Sequence, residues 1–404
     1  MSQQTTTTQG LDLASPIFKA NPYPAFARLR LAAPVSLLSA QEQGHQTWLI
    51  TRYQEAELVL RDERFVKDRA NALPSQQQAR PPSAADLMCL GMVDFDPPDH
   101  TRLRSLVGHF FTPRAIERWQ ERVQQITDEL IDAVIDQGRM DVIEALAFPL
   151  PLNVISEILG IPAADRPALH SWTRQMADAF DHPGTIKLAD EALHAFYTYL
   201  PTLIEQKRQR PANDLVSELV QAASHQISER EIMAMIFLLI VAGHDTTDNL
   251  IGNGLYALLT HPEQMALLRH EPARIKEAVE ELLRYYSPFM LATRRWAREE
   301  VTLCGQLIRR GDQVAIALIS ANRDGSRFSG PDQFDITRRD NHHLAFGKGI
   351  HYCLGAPLAR LEGQIALSTL LRRLPQLRLQ GDPGELVWRP GSLIIGLSRL
   401  PVVF

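Results

Sequence analysis

Ten residues, Phe346-Gly347-Lys348-Gly349-Ile350-His351-Tyr352-Cys353-Leu354-Gly355, gather three glycines around one cysteine just ahead of a helical pattern over residues 354–374. Gly347 and Gly349 permit tight or left-handed turns, and Gly355 permits close approach of a flat group to the backbone. Cys353 stands at the start of the expected helix, whose positive end favours thiolate over thiol, with Pro357 tolerated in the first turn. A thiolate so placed is a strong metal ligand. Three plainer readings compete with this one. A buried structural cysteine is the usual fate of the residue, but the flanking glycines argue against it. Zinc would draw on His342, His343 and His351, yet the paired Cys-x-x-Cys spacing is missing. A phosphate loop fails because Tyr352 takes the place of the third glycine of a dinucleotide fingerprint and no Gly-Lys-Ser/Thr follows.

A second constellation lies in an apolar helix expected from residue 231 to about 259, which is hydrophobic on every side through Gly243 and then turns abruptly polar: His244-Asp245-Thr246-Thr247-Asp248. A polar patch within a buried helix needs a reason. Thr246 can direct its hydroxyl to the carbonyl of Ala242 one turn earlier, and Gly243 weakens the same turn, so a bend or an opened hydrogen bond is expected there. The opening could admit oxygen or water. The plainer alternative is that Asp245 and Thr246 satisfy each other where the helix meets solvent. A third pair, Glu281 and Arg284, sits one helical turn apart and by itself means no more than the same spacing at Glu271 and Arg274.

The elements that must position these groups are mostly helical. Residues 24–30 read as helix, 34–38 and 47–51 as extended, and 101–283 as mainly helical, with a helix over 115–136 and another over 150–159. Strand, turn and strand follow over 300–318, punctuated by Gly305 and Gly311. Residues 71–86, rich in proline, glutamine, serine and alanine, suggest a long loop over a ligand pocket. No internal repeat or clean linker divides the chain, so a single domain is expected over 1–404, with a short disordered start over about 1–12, a helix-rich part over about 100–285 and β-containing parts over about 30–60 and 286–404.

Taken together, the cysteine loop, the acid-alcohol helix and their order resemble the cytochrome P450 superfamily of haem-thiolate monooxygenases, in the soluble bacterial form, over nearly the whole length. The resemblance implies a mainly α fold with small β-sheets and heme b (iron protoporphyrin IX) held between a central buried helix and the cysteine loop. Cys353 would be the iron ligand, whose electron donation favours O–O cleavage, with Phe346, Gly347, Gly355, Ala242 and Gly243 beside the cofactor. Asp245 and Thr246 would manage protons during oxygen activation. Glu281, Arg284 and Arg338 would hold the fold, since Glu281 to Arg284 precedes Tyr285-Tyr286-Ser287-Pro288 as the family's structural pair does. The segment 96–104 resembles the family's helix start that sends His100 and Arg104 to the haem propionates, and Arg295 and His351 match two further partners. Arg294 and Arg298 are close alternatives to Arg295.

The resemblance also places substrate contacts in loops over residues 71–92, 172–188, 236–245, 288–293 and 392–397. Met88, Ile240, Phe289, Met290, Leu291, Leu393 and Ile394 then suggest a hydrophobic small molecule such as a fatty acid, terpenoid, steroid or macrolide/polyketide-like compound, although core packing is the commoner use of such residues. Electrons are expected from NAD(P)H through a reductase and a soluble ferredoxin or flavodoxin, with O2 as cosubstrate, because the chain has no flavin or nicotinamide fingerprint. Arg102, Arg114, Lys348 and Arg360 could offer an acidic partner a basic face.

The remaining composition is ordinary. The 404 residues carry 42 basic and 47 acidic side chains, a net charge of −5, which offers no footprint for nucleic acid. Three scattered cysteines make a disulfide framework improbable and suit a reducing cytoplasm, and the polar start has no signal-peptide pattern. The apolar run over 232–243 is too short to span a membrane and reads as a core helix. A monomer is expected. Two rivals remain: peroxide-driven or C–C-cleaving chemistry on a fatty acyl chain, and a haem-binding sensor or carrier.

Overall fold

The computed structural model describes residues 11–42, 45–73, 91–181, 186–223 and 226–404. Its helices of eight residues or more are α1 (Tyr23–Ala32), α2 (Tyr53–Arg61), α3 (Asp99–Val107), α4 (Gln120–Ile135), α5 (Pro149–Leu159), α6 (Arg166–Asp181) and α7 (Ile186–Gln209). After them come α8 (Leu215–Ala222), α9 (Glu229–His244), α10 (Thr247–Thr260), α11 (Pro262–His270), α12 (Ile275–Tyr285) and α13 (Ala356–Arg373). Short strands fall at both ends of the chain: β1 (Val35–Glu42), β2 (His45–Ile50), β3 (Phe65–Val66), β4 (Arg139–Asp141), β5 (Arg295–Ala297), β6 (Val301–Leu303), β7 (Gln306–Ile308), β8 (Gln313–Ile316), β9 (Arg378–Leu379) and β10 (Pro401–Val403). The chain is mainly α with small sheets, as its periodicities indicate.

Two compact units result, each built from three chain segments. The first comprises Met1–Gln77, Asn253–Cys353 and Val387–Ser398. Its sheet has the order β1-β2-β8-β5-β3, antiparallel except where β2 runs parallel to β8. Trp48, Leu49 and Ile50 are all buried, the pattern of a strand covered on both faces rather than one. Trp48, Tyr53, Leu60, Phe65, Val314, Phe328 and Leu344 share one apolar core, which ties α2 and the start of the cysteine loop to the sheet. The β6–β7 hairpin turns on Cys304 and Gly305, with φ of 48° and 76°, the two positive values that a two-residue hairpin turn with the right twist requires.

The second unit comprises Gln78–Gly252, Leu354–Leu386 and Arg399–Phe404. Within it α13 packs on α4, α9 on α5, and a three-stranded sheet of order β4-β10-β9 closes one side. Arg373 of α13 is bound by Asp128 of α4 at 3.0 Å, and Gln124 donates to the Thr369 hydroxyl at 3.0 Å. A capping box starts α9: Ser228 accepts from the Glu231 amide, and the Glu231 side chain accepts from the Ser228 amide. This places the helix start two residues before the expected one. The stretch Glu229–Thr260 is long and apolar enough to cross a membrane, but 67% of its most apolar window is buried inside the protein.

Two expected helices are each two pieces. Residues 115–136 divide into Pro113–Glu117 and α4, because Trp119 bonds back three residues to Ile116 and tightens the turn. The long apolar helix divides at Asp245 and Thr246, between α9 and α10.

Candidate functional site

In the first unit the cysteine loop is a closed, hydrogen-bonded ring. The Cys353 amide donates to the Phe346 carbonyl at 2.9 Å, the Gly347 amide to Leu344 at 2.8 Å and the Tyr352 amide to Gly349 at 3.1 Å. Gly347 and Gly349 have φ of 69° and 72°, a backbone that other residues enter only with strain. The two glycines differ in what surrounds them. A Cβ on Gly349 would lie 2.6 Å from the Leu60 carbonyl oxygen at the end of α2, whereas one on Gly347 would meet nothing closer than 3.9 Å. Gly355, at the N-cap of α13, has φ −78° and ψ 2°, open to any residue, so torsion does not require its glycine. Cys353 is half-buried and in no disulfide, three residues before the first residue of the helix it was expected to begin. Among the described residues no group of three or more His, Cys, Asp or Glu side chains gathers as a metal site, which leaves the zinc reading without its ligands.

A buried polar frame holds this loop. Glu281 and Arg284 are both fully buried, joined by two hydrogen bonds of 2.8 and 2.7 Å. Glu281 also accepts from Arg338 Nε at 3.1 Å, Asn341 Nδ2 at 3.1 Å and the Asp335 amide at 2.9 Å. Arg284 spends its other donors on the carbonyls of Asn322, Pro331 and Gln333. Asn322 in turn accepts the Leu344 amide at 2.7 Å, and Tyr53 donates its hydroxyl to the His342 carbonyl at 2.6 Å. The three residues expected to hold the fold are therefore in one network, and Asn322 and Asn341, which sequence reasoning missed, complete it. By contrast Glu271 and Arg274 are a partly exposed pair.

In the second unit the polar break in α9 has the expected form. Thr246 Oγ1 donates to the Ala242 carbonyl at 3.1 Å, and the Asp245 amide reaches the Val241 carbonyl only at 3.4 Å. Beyond the first turn, Leu238, Val241, Ala242, Asp245 and Thr246, at three- and four-residue spacing, form one accessible stripe together with Gly243, and the rest of α9 is packed. Ile240 is fully buried on the opposite face with His244, whose Nδ1 is 2.9 Å from the Ile240 carbonyl and whose ring rests on Phe148 at 5.2 Å. Ile240, expected as pocket lining, therefore lies on the packed face of the helix. Gly243 also has a packing role: a Cβ there would come 3.0 Å from Ile155 of α5, so the glycine lets two helices approach.

The four expected cationic partners fall two to each unit. His100 and Arg104 lie one turn apart on α3, and His100 is 3% exposed. Burial and then the Arg104 charge lower the His100 pKa, so the ring is neutral near pH 7 and has one N–H to donate. Arg295 on β5 is 3% exposed, with Nη1 donating to the Thr293 carbonyl at 3.2 Å, while Arg294 and Arg298 are exposed. Burial therefore separates Arg295 from its two neighbours, which sequence could not do. His351 is half-buried, in the cysteine loop.

Of the expected pocket residues, Met88 lies outside the described residues, as do residues 74–90 of the expected cover loop. Phe289, Met290, Leu291, Leu393 and Ile394 are brought together in the first unit, where Phe289 bridges Ile394 and the Met290 amide donates to the Leu393 carbonyl at 2.9 Å. Met290 and Leu291 are buried, and Phe289, Leu393 and Ile394 keep accessible surface. On the suggested basic face, Arg102 is held by Asp99 at 2.8 Å and Glu231 at 2.5 Å, and Lys348 lies 3.9 Å from Glu57. A group missed from sequence is Glu362 of α13, fully buried and close to the Thr247 hydroxyl without a well-formed hydrogen bond; burial raises its pKa well above the usual carboxyl range. No local pattern marks it.

A family model described as Cytochrome P450 matches residues 174–385. Cytochrome P450 monooxygenase PikC of Streptomyces venezuelae is 44% identical over 410 residues, covering 98% of this chain and 96% of its own. Vitamin D(3) 25-hydroxylase of Pseudonocardia autotrophica is 42% identical over 405 residues, covering 100% of this chain and 98% of its own. Among solved structures, the Bacillus subtilis 168 bacillaene polyketide synthase cytochrome P450 PksS matches with a TM-score of 0.89 and 40% identity, covering 97% of this chain and 99% of that one.

Proposed function

The chain belongs to the cytochrome P450 family and is a haem monooxygenase; on that premise we propose that Cys353 is its iron ligand and that it hydroxylates a bulky, mainly apolar molecule of polyketide type. The observation that carries the ligand assignment is the ring closed by the Cys353 amide on Phe346, with Gly349 pressed against the Leu60 carbonyl. That ring holds the backbone from which Sγ projects.

The residues present fit a haem. A flat apolar group suits an accessible stripe on an otherwise packed helix, and two propionates suit a buried neutral imidazole and a buried guanidinium. His100, Arg104, Arg295 and His351 are the propionate partners, and Phe346, Gly347, Gly355, Ala242 and Gly243 its neighbours. When bound, haem supplies the redox chemistry that activates dioxygen and inserts one oxygen atom into substrate. The chain supplies the rest. Cys353 donates thiolate charge from a position its own amide holds. Asp245 exchanges protons with water, and Thr246 orients the water that carries them: Oγ1 gives its own hydrogen to the Ala242 carbonyl and keeps its lone pairs to accept from that water.

Phe289, Leu393 and Ile394 supply apolar contact to the substrate. The polyketide reading is supported by the likeness to PksS, and the likeness to a vitamin D(3) hydroxylase marks bulk and apolarity as the shared demand. Electrons come from NAD(P)H through a reductase and a ferredoxin or flavodoxin, and the enzyme works as a cytoplasmic monomer. The test is the absorption spectrum of the reduced, haem-loaded protein under carbon monoxide, beside Cys353→Ala. A strongly red-shifted Soret band, lost in the variant, is the expected result. A histidine-type band, or one that survives the substitution, removes Cys353 as ligand.

A further inference from the structure

A cavity of about 440 Å³ opens in the first unit, lined by none of the residues assigned above to cofactor, protons or substrate. That volume is in the range of small-molecule sites. Its lining combines basic and apolar groups. Arg30 of α1, Arg52 at the N-cap of α2, and Arg323 contribute guanidiniums, while Ala27, Leu31 and Pro331 contribute apolar surface. Leu31 is 83% exposed among the lining residues, so its side chain is open to contact.

The three arginines are not equivalent. Arg323 is engaged: it lies 3.8 and 3.5 Å from the ring centroids of Tyr23 and Tyr285, donates to the Tyr285 carbonyl at 2.9 Å and pairs with Asp332 at 3.3 Å. Arg30 is 8% exposed, yet it spends only Nη1, on the carbonyl and hydroxyl of Ser320 at 3.1 and 3.0 Å. Arg52 spends only Nε, on the Arg30 carbonyl at 2.7 Å. Among the described residues neither has a carboxylate at ion-pair distance. The two acids on the wall are occupied locally. Asp324 accepts from the Tyr53 amide at 2.9 Å and from the Ser326 amide and hydroxyl, and Glu55 accepts from the Cys304 thiol at 3.1 Å. Burial pulls the Arg30 pKa below the ordinary arginine value despite the nearby Asp324 charge.

We propose that this cavity binds a small organic monocarboxylate, its charged head on the open donors of Arg30 and Arg52 and its apolar body against Ala27, Leu31 and Pro331. A planar carboxylate takes two parallel hydrogen bonds from a guanidinium fork, and a half-buried guanidinium without a counter-ion gains most from one. One negative charge fits better than two, because Asp324 and Glu55 remain on the wall. Its wall connects through Tyr53, whose amide donates to Asp324 and whose hydroxyl donates to the His342 carbonyl, to the segment that leads into the cysteine loop.

The test is calorimetric titration of octanoate into the haem-loaded protein with the iron saturated by an aryl azole, so that binding at the haem cannot contribute. One octanoate per chain is expected to bind, without a change in the Soret band, and inorganic phosphate is expected to bind about tenfold more weakly. Arg52→Gln and Leu31→Glu are each expected to weaken octanoate by about tenfold or more while leaving the unliganded melting temperature and spectrum unchanged. Leu31→Glu stands at an exposed position and keeps the test open should Arg52→Gln disturb folding. Octanoate binding that disappears with azole, fails to occur, or is indifferent to both variants overturns the proposal.

Discussion

The cysteine loop and the polar break in α9 solve opposite problems. In the loop, amides 347, 352 and 353 are each bonded within the loop or to the segment entering it, and the frame beneath it saturates Glu281 and Arg284 with partners. In α9 the ladder is slackened at Asp245, and Thr246 bonds back to Ala242. One region is closed by its hydrogen bonds, and the other is opened at a single turn. The same chain therefore tolerates change very differently in the two places, and that difference can be measured.

The largest effect is expected beneath the loop. Arg284→Ala removes one of the two guanidiniums paired with buried Glu281 and uncaps three carbonyls, costing about 3–5 kcal/mol in urea unfolding. A loss below about 1 kcal/mol would show the frame to be dispensable. Next comes the contrast between the two left-handed glycines. Gly349→Ala adds a clash with the Leu60 carbonyl to the torsional strain, for about 2–5 kcal/mol, whereas Gly347→Ala costs the torsion alone, about 1–2 kcal/mol. Equal costs would mean that the cradle of α2 is not what holds the loop.

Smaller still is the stability effect of Thr246→Ala, within about 1 kcal/mol because only one local hydrogen bond is lost. Its functional effect runs the other way: substrate-stimulated NAD(P)H consumption should disappear while the carbon monoxide spectrum is retained. Retained stimulation would remove Thr246 from proton delivery. The smallest effect concerns Glu362. Its pKa is raised on folding, so its contribution to stability is fully present below the ordinary carboxyl value of 4.5 and is lost as pH rises through the raised value. Glu362→Gln stays neutral, and its melting temperature should gain on the native chain between about pH 5 and pH 8. A difference that does not change with pH would place the proton elsewhere.

Much of the site was legible because its parts are local. Thr246 and Ala242 are one turn apart, Glu281 and Arg284 likewise, and the loop glycines lie within two residues of one another, so helix periodicity and torsion alone dictate their relations. What was not legible has the opposite character. Gly243 stands in the motif beside the expected cofactor, and its missing side chain also makes room for Ile155, 88 positions away in the chain. Ile240 is apolar like its neighbours, and only the packing of the helix shows that it lies on the buried face, away from the accessible stripe.

What the amino-acid order determined by itself was the chemistry: a thiol in a glycine loop, an alcohol able to open its own helix, an acid and a base one turn apart. Each follows from covalent neighbours and backbone geometry over a few residues. Only the tertiary structure decided which arginine among 294, 295 and 298 is buried, which asparagines complete the Glu281 frame, why Gly349 admits no side chain, and that Glu362 is cut off from water. Burial and distant hydrogen-bond partners depend on which segments pack together, and no local pattern encodes that.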